Sequence, residues 1–240
     1  MRKKKSPPIK RLRPIRMARV WHRRWRESLL TLLLAIQVFI LFIMPALRSG
    51  GFPISHLAAD SILLFFIILA IGLSRSRVAM VTLMVSVILT VTGMILRHEQ
   101  LDTTTNIITA IGQVLTFLSL LWVVSTAVFS PGRITYHRIL GAVVIYLGIG
   151  MIFISLYMLL ARMVPGAFIH LPDNNLELRE SLTYFSFGAL TTGSFGDIIP
   201  LHPIARSLAN IEAICGQLFP ATLLARIVSL HSQKIEITKD

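Results

Sequence analysis

The chain has 240 residues, of which 54% are hydrophobic and 15% charged, with a formal net charge of +13. Soluble domains carry about a quarter of charged residues, so the composition points to an integral membrane protein and away from a soluble enzyme. A strongly basic chain can also bind nucleic acid, but twelve of the 24 Lys and Arg residues precede Ser28, directly before the first apolar run. A basic segment there fixes topology and meets anionic lipid headgroups, so the charge argues for a bilayer partner and no nucleic acid.

In chain order, residues 1–28 read as a basic cytoplasmic tail. Apolar runs of spanning length, about 20 residues each, follow at 29–47, 57–73, 78–96, 106–129, 139–161 and 204–230. A basic start before an apolar run also fits a signal peptide cleaved after Ala46, but the run approaches spanning length and no clean small-x-small site follows, which favours a retained anchor. The second run is the shortest, and Arg75 and Arg77 at its end favour a helical hairpin with the third. The predicted fold is therefore an all-α integral membrane protein with six transmembrane helices. In that topology nineteen Lys and Arg lie on one side and five on the other, Arg48, Arg97, Arg162, Arg179 and Arg206. The positive-inside bias places both termini in the cytoplasm.

Ser130-Pro131-Gly132 breaks the helical pattern and marks the internal boundary, dividing residues 29–130, a four-helix peripheral domain, from residues 131–232. Residues 233–240 form a short tail that leaves no room within this chain for a ligand-gating domain of ~100 residues. Cys215, the single cysteine, lies in an apolar segment and predicts packing rather than a disulfide.

Between the fifth and sixth spans stands Tyr184-Phe-Ser-Phe-Gly-Ala-Leu-Thr-Thr-Gly-Ser-Phe-Gly-Asp197, followed by Ile-Ile-Pro200. An aromatic half-helix, a Thr-Thr pair and a Gly-rich turn ending in Asp predict a re-entrant loop, because irregular backbone at membrane depth is tolerated only where protein buries it or water lines it. The motif resembles the pore signature of the potassium-channel superfamily, whose filter usually reads Thr-Thr-Val-Gly-Tyr-Gly-Asp. The resemblance extends over the last ~100 residues by eye, through Pro200, Ala205-Arg206, Glu212-Ala-Ile-Cys-Gly-Gln-Leu-Phe219 and Leu224-Ala-Arg226.

The resemblance implies a homotetramer, since one loop per chain needs four chains around an axis, in a plasma membrane and with no cofactor beyond the permeant ion. It assigns K+ to the carbonyls of Thr192, Gly193, Ser194 and Phe195, with Gly196 closing the filter. Tyr184, Thr191, Asp197 and Glu212 become filter support; Glu212, in the apolar interior, is read either as bonding the pore helix through Ser186 or Thr191 or as an inward-facing cation site in the cavity. Gly193 stands where the family has valine and Ser194 where it has its first glycine, so either Ser194 is strained or Gly193 carries the left-handed dihedrals. Phe195 lacks the hydroxyl of the family's tyrosine, which predicts a looser filter.

Nineteen residues after Asp197, Gly216 occupies the position of a gating hinge, and Pro220 removes the amide that would bond the carbonyl of residue 216, so a kink is expected there. Leu224 and Val228 share a face below it and fit either a cytoplasmic gate or ordinary helix packing. The run 106–129 contains no charged residue, which excludes voltage sensing by arginines in the fourth span. Glu177 and Glu180 are read either as negative charge at an outer mouth or as part of a solvated loop.

The predicted function is passive conduction of monovalent cations, potassium foremost. The alternatives are a nonselective cation channel and a non-conducting channel-like subunit. The seven histidines show no metal-binding spacing, so no enzyme is expected.

Overall fold

The computed structural model describes residues 30–50, 77–99, 103–129, 136–193 and 196–237. The basic tail, the second apolar run with Arg75, the 130–135 break, and Ser194 with Phe195 lie outside them. Within them the protein is mostly helical. We number the helices α1 (residues 30–49), α2 (Arg77–Glu99), α3 (Thr103–Val128), α4 (Tyr136–Met163), α5 (Asn175–Leu190) and α6 (Pro203–Ile237). Two short strands, β1 (Phe168–Ile169) and β2 (Ile199–Pro200), flank α5.

Four helical segments are long and apolar enough to cross a membrane: Leu30–Arg48, Ile107–Thr126, Arg138–Met163 and Pro203–Arg226. The described chain is therefore that of an all-α, multi-pass membrane protein. The predicted third span coincides with α2, whose apolar stretch is the shorter Met80–Thr92. The sequence explains these lengths directly, because a helix in lipid satisfies every backbone group internally and needs no polar face.

Helix α1 changes register midway. Pro45 cannot donate to the carbonyl of Leu41, and the preceding turn, Phe39–Ile43, is a π-helix in which the Met44 amide reaches the Phe39 carbonyl. The wider turn accommodates the missing donor without breaking the helix.

Successive helices pack as neighbours: α2 on α3, α3 on α4, α4 on α5, and α5 on α6, with α4 also touching α6. Small hydroxyl residues line the α2–α3 seam, where Ser119 Oγ donates to Thr82 Oγ1 at 3.0 Å. Thr90 and Thr116 bond back to the carbonyls of Ser86 and Gly112. Such seams let helices approach closely in lipid and leave no hydroxyl unsatisfied. Fully buried Gln37 of α1 reaches toward the Val144 carbonyl of α4 at 3.4 Å, and Phe42 stacks at 5.5 Å on Phe187 of α5.

The core is centred on α4. Tyr157, fully buried, contacts Phe168 of β1 and Phe185 of α5 edge-on, at centroid separations of 5.7 and 5.1 Å. Phe168 and Phe185 complete the triangle at 5.5 Å. Edge-on rings satisfy each other's quadrupoles, so this cluster fixes α5 against α4.

Candidate functional site

The site is built around α5, a 16-residue helix that at 1.5 Å per residue is about 24 Å long, too short for a hydrocarbon core of ~30 Å. Both ends of α5 are held by charge or hydrogen bonds. Near its start, Glu180 pairs with Arg48 of α1 at 2.6 Å, and Arg179 donates to Gln113 of α3 at 3.3 Å. Glu180 therefore does not stand as a free negative charge, and Glu177 accepts from Asn174 Nδ2 at 3.3 Å.

The C-terminal end of α5 closes in a Schellman motif. The Gly193 amide bonds the Gly188 carbonyl at 2.8 Å and the Thr192 amide bonds the Ala189 carbonyl at 3.0 Å. That motif needs a left-handed residue at its penultimate position, and Thr192 supplies it at φ 57°. Glycine usually sits there; a β-branched residue costs about 1–2 kcal/mol. The expectation that Ser194 or Gly193 carries the unusual dihedral is thus corrected for Gly193, which has no positive φ, while Gly196 has φ 84°. The Thr191 hydroxyl donates to the Phe187 carbonyl at 2.6 Å and not to Glu212.

Beyond the turn, Asp197 is held from three directions. Its carboxylate accepts the Ile198 amide at 3.0 Å and a hydrogen bond from the Tyr184 hydroxyl. Its carbonyl lies 2.8 Å from His170 Nδ1, which must carry the proton, since a carbonyl only accepts. His170 itself adopts φ 64°. The segment then pairs antiparallel with the chain preceding α5, Phe168 opposite Pro200 and Ile169 opposite Ile199, with the Leu201 amide bonded to the Ala167 carbonyl at 2.9 Å. The loop after α5 is therefore clamped to the loop before it.

Glu212 of α6 is fully buried and accepts from two helices at once: Ser186 Oγ of α5 at 2.5 Å on Oε1 and Tyr157 Oη of α4 at 2.7 Å on Oε2. Both carboxylate oxygens thus have an O–H donor, which is what makes a carboxyl group tolerable in an apolar interior. The Ser186 hydroxyl also lies 3.2 Å from the Gly150 carbonyl. Ser186 was one of two partners expected for Glu212; Tyr157 was missed, because a tyrosine inside an apolar run carries no sequence signal of which way it faces.

One turn further, α6 touches α5 backbone to backbone. A Cβ on Gly216 would stand 1.7 Å from the Leu190 carbonyl oxygen, so glycine is required there for close approach, whatever else it does. The helix runs unbroken through Gly216 and Pro220. Its neighbour Gln217 donates Nε2 to Thr192 Oγ1 at 3.2 Å, a contact the motif did not signal. Leu224 and Val228 are exposed, and between them in sequence Arg226 donates to the Phe129 carbonyl at 2.8 Å with its guanidinium 4.9 Å above the Phe129 ring.

Of the residues singled out from the sequence, Tyr184 and Asp197 come together, and Thr191, Thr192 and Gly193 form the cap beside Gly216. Glu212 lies behind α5, while Pro220, Leu224 and Val228 lie further along α6, away from the loop. No protein-family model matches this chain, and no curated protein or solved structure is detectably similar to it.

Proposed function

We propose that the chain is one subunit of a homotetrameric channel for monovalent cations, potassium foremost, with six spans, both termini cytoplasmic, and α5 as a re-entrant helix in a plasma membrane. The observation that carries this reading is the imbalance of α6. Only 11% of its Pro203–Arg226 window is buried, against 61% of the Arg138–Met163 window of α4. Its exposed positions include Ser207, Asn210 and Gln217, the last bonded to exposed Thr192 beyond the end of α5. Polar side chains at membrane depth require protein or water around them, and a symmetric assembly about α6 supplies both.

In this reading the clamp on Asp197 and the Glu212 bonds hold the loop as filter support, Thr192 to Gly196 offer carbonyls to the ion, and Leu224 and Val228 line the cytoplasmic end. The left-handed Thr192 favours one rival specifically, a pore with weak discrimination among cations, because it turns the chain away from a continuous extended ladder of carbonyls.

The test is mass by native spectrometry of the purified protein, together with potassium efflux from proteoliposomes. A tetramer that dissipates a potassium gradient supports the proposal; a monomer or dimer, or a tetramer with no flux of potassium or sodium, overturns it.

A further inference from the structure

The contact between the α5 cap and α6 determines how Gln217 is oriented. Thr192 Oγ1 donates its single proton to the Thr191 carbonyl at 2.7 Å, so toward Gln217 Nε2, 3.2 Å away, it can only accept. The NH2 end of the carboxamide therefore faces the cap, and Oε1 is left as an acceptor. Gln217 is exposed and makes no other hydrogen bond among the described residues. Its height is fixed too, because the preceding Gly216 lies against the Leu190 carbonyl. The C-terminal end of a helix carries partial negative charge, so the amide oxygen sits where a cation is electrostatically favoured.

We propose that Gln217 Oε1 is a cation ligand: repeated around the axis of the assembly, these oxygens form a neutral ring that takes a partly dehydrated monovalent cation where the loop meets the interior of the pore. Thr192 acts as a positioning residue. Its hydroxyl oxygen accepts from Nε2 and so turns the glutamine's own oxygen away from the cap, toward the ion. Neutral oxygen dipoles replace the hydration shell of an alkali cation without trapping it. The inference rests on the tetrameric-channel reading above.

The experiment is single-channel recording of the full-length tetramer in planar bilayers, comparing the parent with Gln217→Leu and Gln217→Glu, with Ba2+ added from the cytoplasmic side as a divalent probe. Gln217→Glu is expected to lower the half-blocking Ba2+ concentration by about tenfold, equivalent to ~1.4 kcal/mol. Gln217→Leu is expected to reduce potassium conductance severalfold with the tetramer mass unchanged. Thr192→Ser, which keeps the hydroxyl, should retain more conductance than Thr192→Ala, which should resemble Gln217→Leu. Parental conductance in Gln217→Leu and an unchanged Ba2+ block in Gln217→Glu would overturn the ligand assignment and leave the channel reading intact. If Gln217→Leu does not assemble, the Ba2+ comparison alone decides. A parent tetramer that carries no current overturns both.

Discussion

Thr192 and Gly216 are two positions where backbone geometry constrains the choice of residue, and they behave in opposite ways. At Gly216 the sequence supplies the residue the geometry needs: any side chain collides with the Leu190 carbonyl. Gly216→Ala must push α6 off α5, and we expect a loss of about 1–3 kcal/mol, read as a lower thermal midpoint of the purified protein in detergent. At Thr192 the sequence supplies a residue the geometry disfavours, φ 57° on a β-branched side chain. Its hydroxyl bonds to Thr191 and Gln217 offset part of that strain. Thr192→Ala removes those bonds and keeps a Cβ, whereas Thr192→Gly removes both, so the difference between the two variants isolates the strain. Thr192→Gly should be the more stable by about 1 kcal/mol; equal midpoints would mean that the left-handed turn is not present in solution.

Among the elements, α5 is the one whose position has to be explained, because a helix shorter than the hydrocarbon core cannot be held by lipid alone. Its start is tied to α1 and α3 through Arg48 and Gln113. Its middle is tied to α4 and α6 through Tyr157, Ser186 and Glu212, and its end rests on Gly216. The Tyr157–Glu212 bond joins two full-length helices behind it, so Tyr157→Phe and Glu212→Gln should not add independently. A double-mutant cycle on thermal stability is expected to give a coupling of about 1–2 kcal/mol, and additive effects would contradict the assigned geometry. Much of this was legible beforehand. The apolar runs announce α1, α3, α4 and α6 by composition, and the Tyr184–Asp197 motif announces the loop. Glu212 was legible as an anomaly, since a carboxyl in an apolar run must have a partner. Tyr157 and Gln217 were not, because in helices surrounded by lipid every face is apolar and periodicity does not say which residue turns inward. Gly216 was read from its spacing as a hinge, and the close contact that also requires it depends on where the end of α5 lies, which is a tertiary fact.

For the whole molecule, the uneven burial of the spans is the central observation. Helix α4 is enclosed by its own chain, whereas α6 keeps most of its surface, including polar side chains, for something else. Four copies around an axis would cover that face and line a path with Thr192 and Gln217 oxygens. In the proposed channel, the absence of charge along α3 predicts that opening is insensitive to membrane potential, since moving one charge through the field contributes about 2.3 kcal/mol per 100 mV. Open probability measured between about −100 and +100 mV should therefore be flat, and a steep dependence would place gating charge on elements other than α3. The most direct test of the proposed channel is the bi-ionic reversal potential of the purified protein in planar bilayers, with potassium on one side and sodium on the other. A potassium channel gives a clear current reversing well toward the potassium equilibrium potential; a current reversing near zero would contradict potassium selectivity, and a protein that passes neither ion would contradict the channel itself.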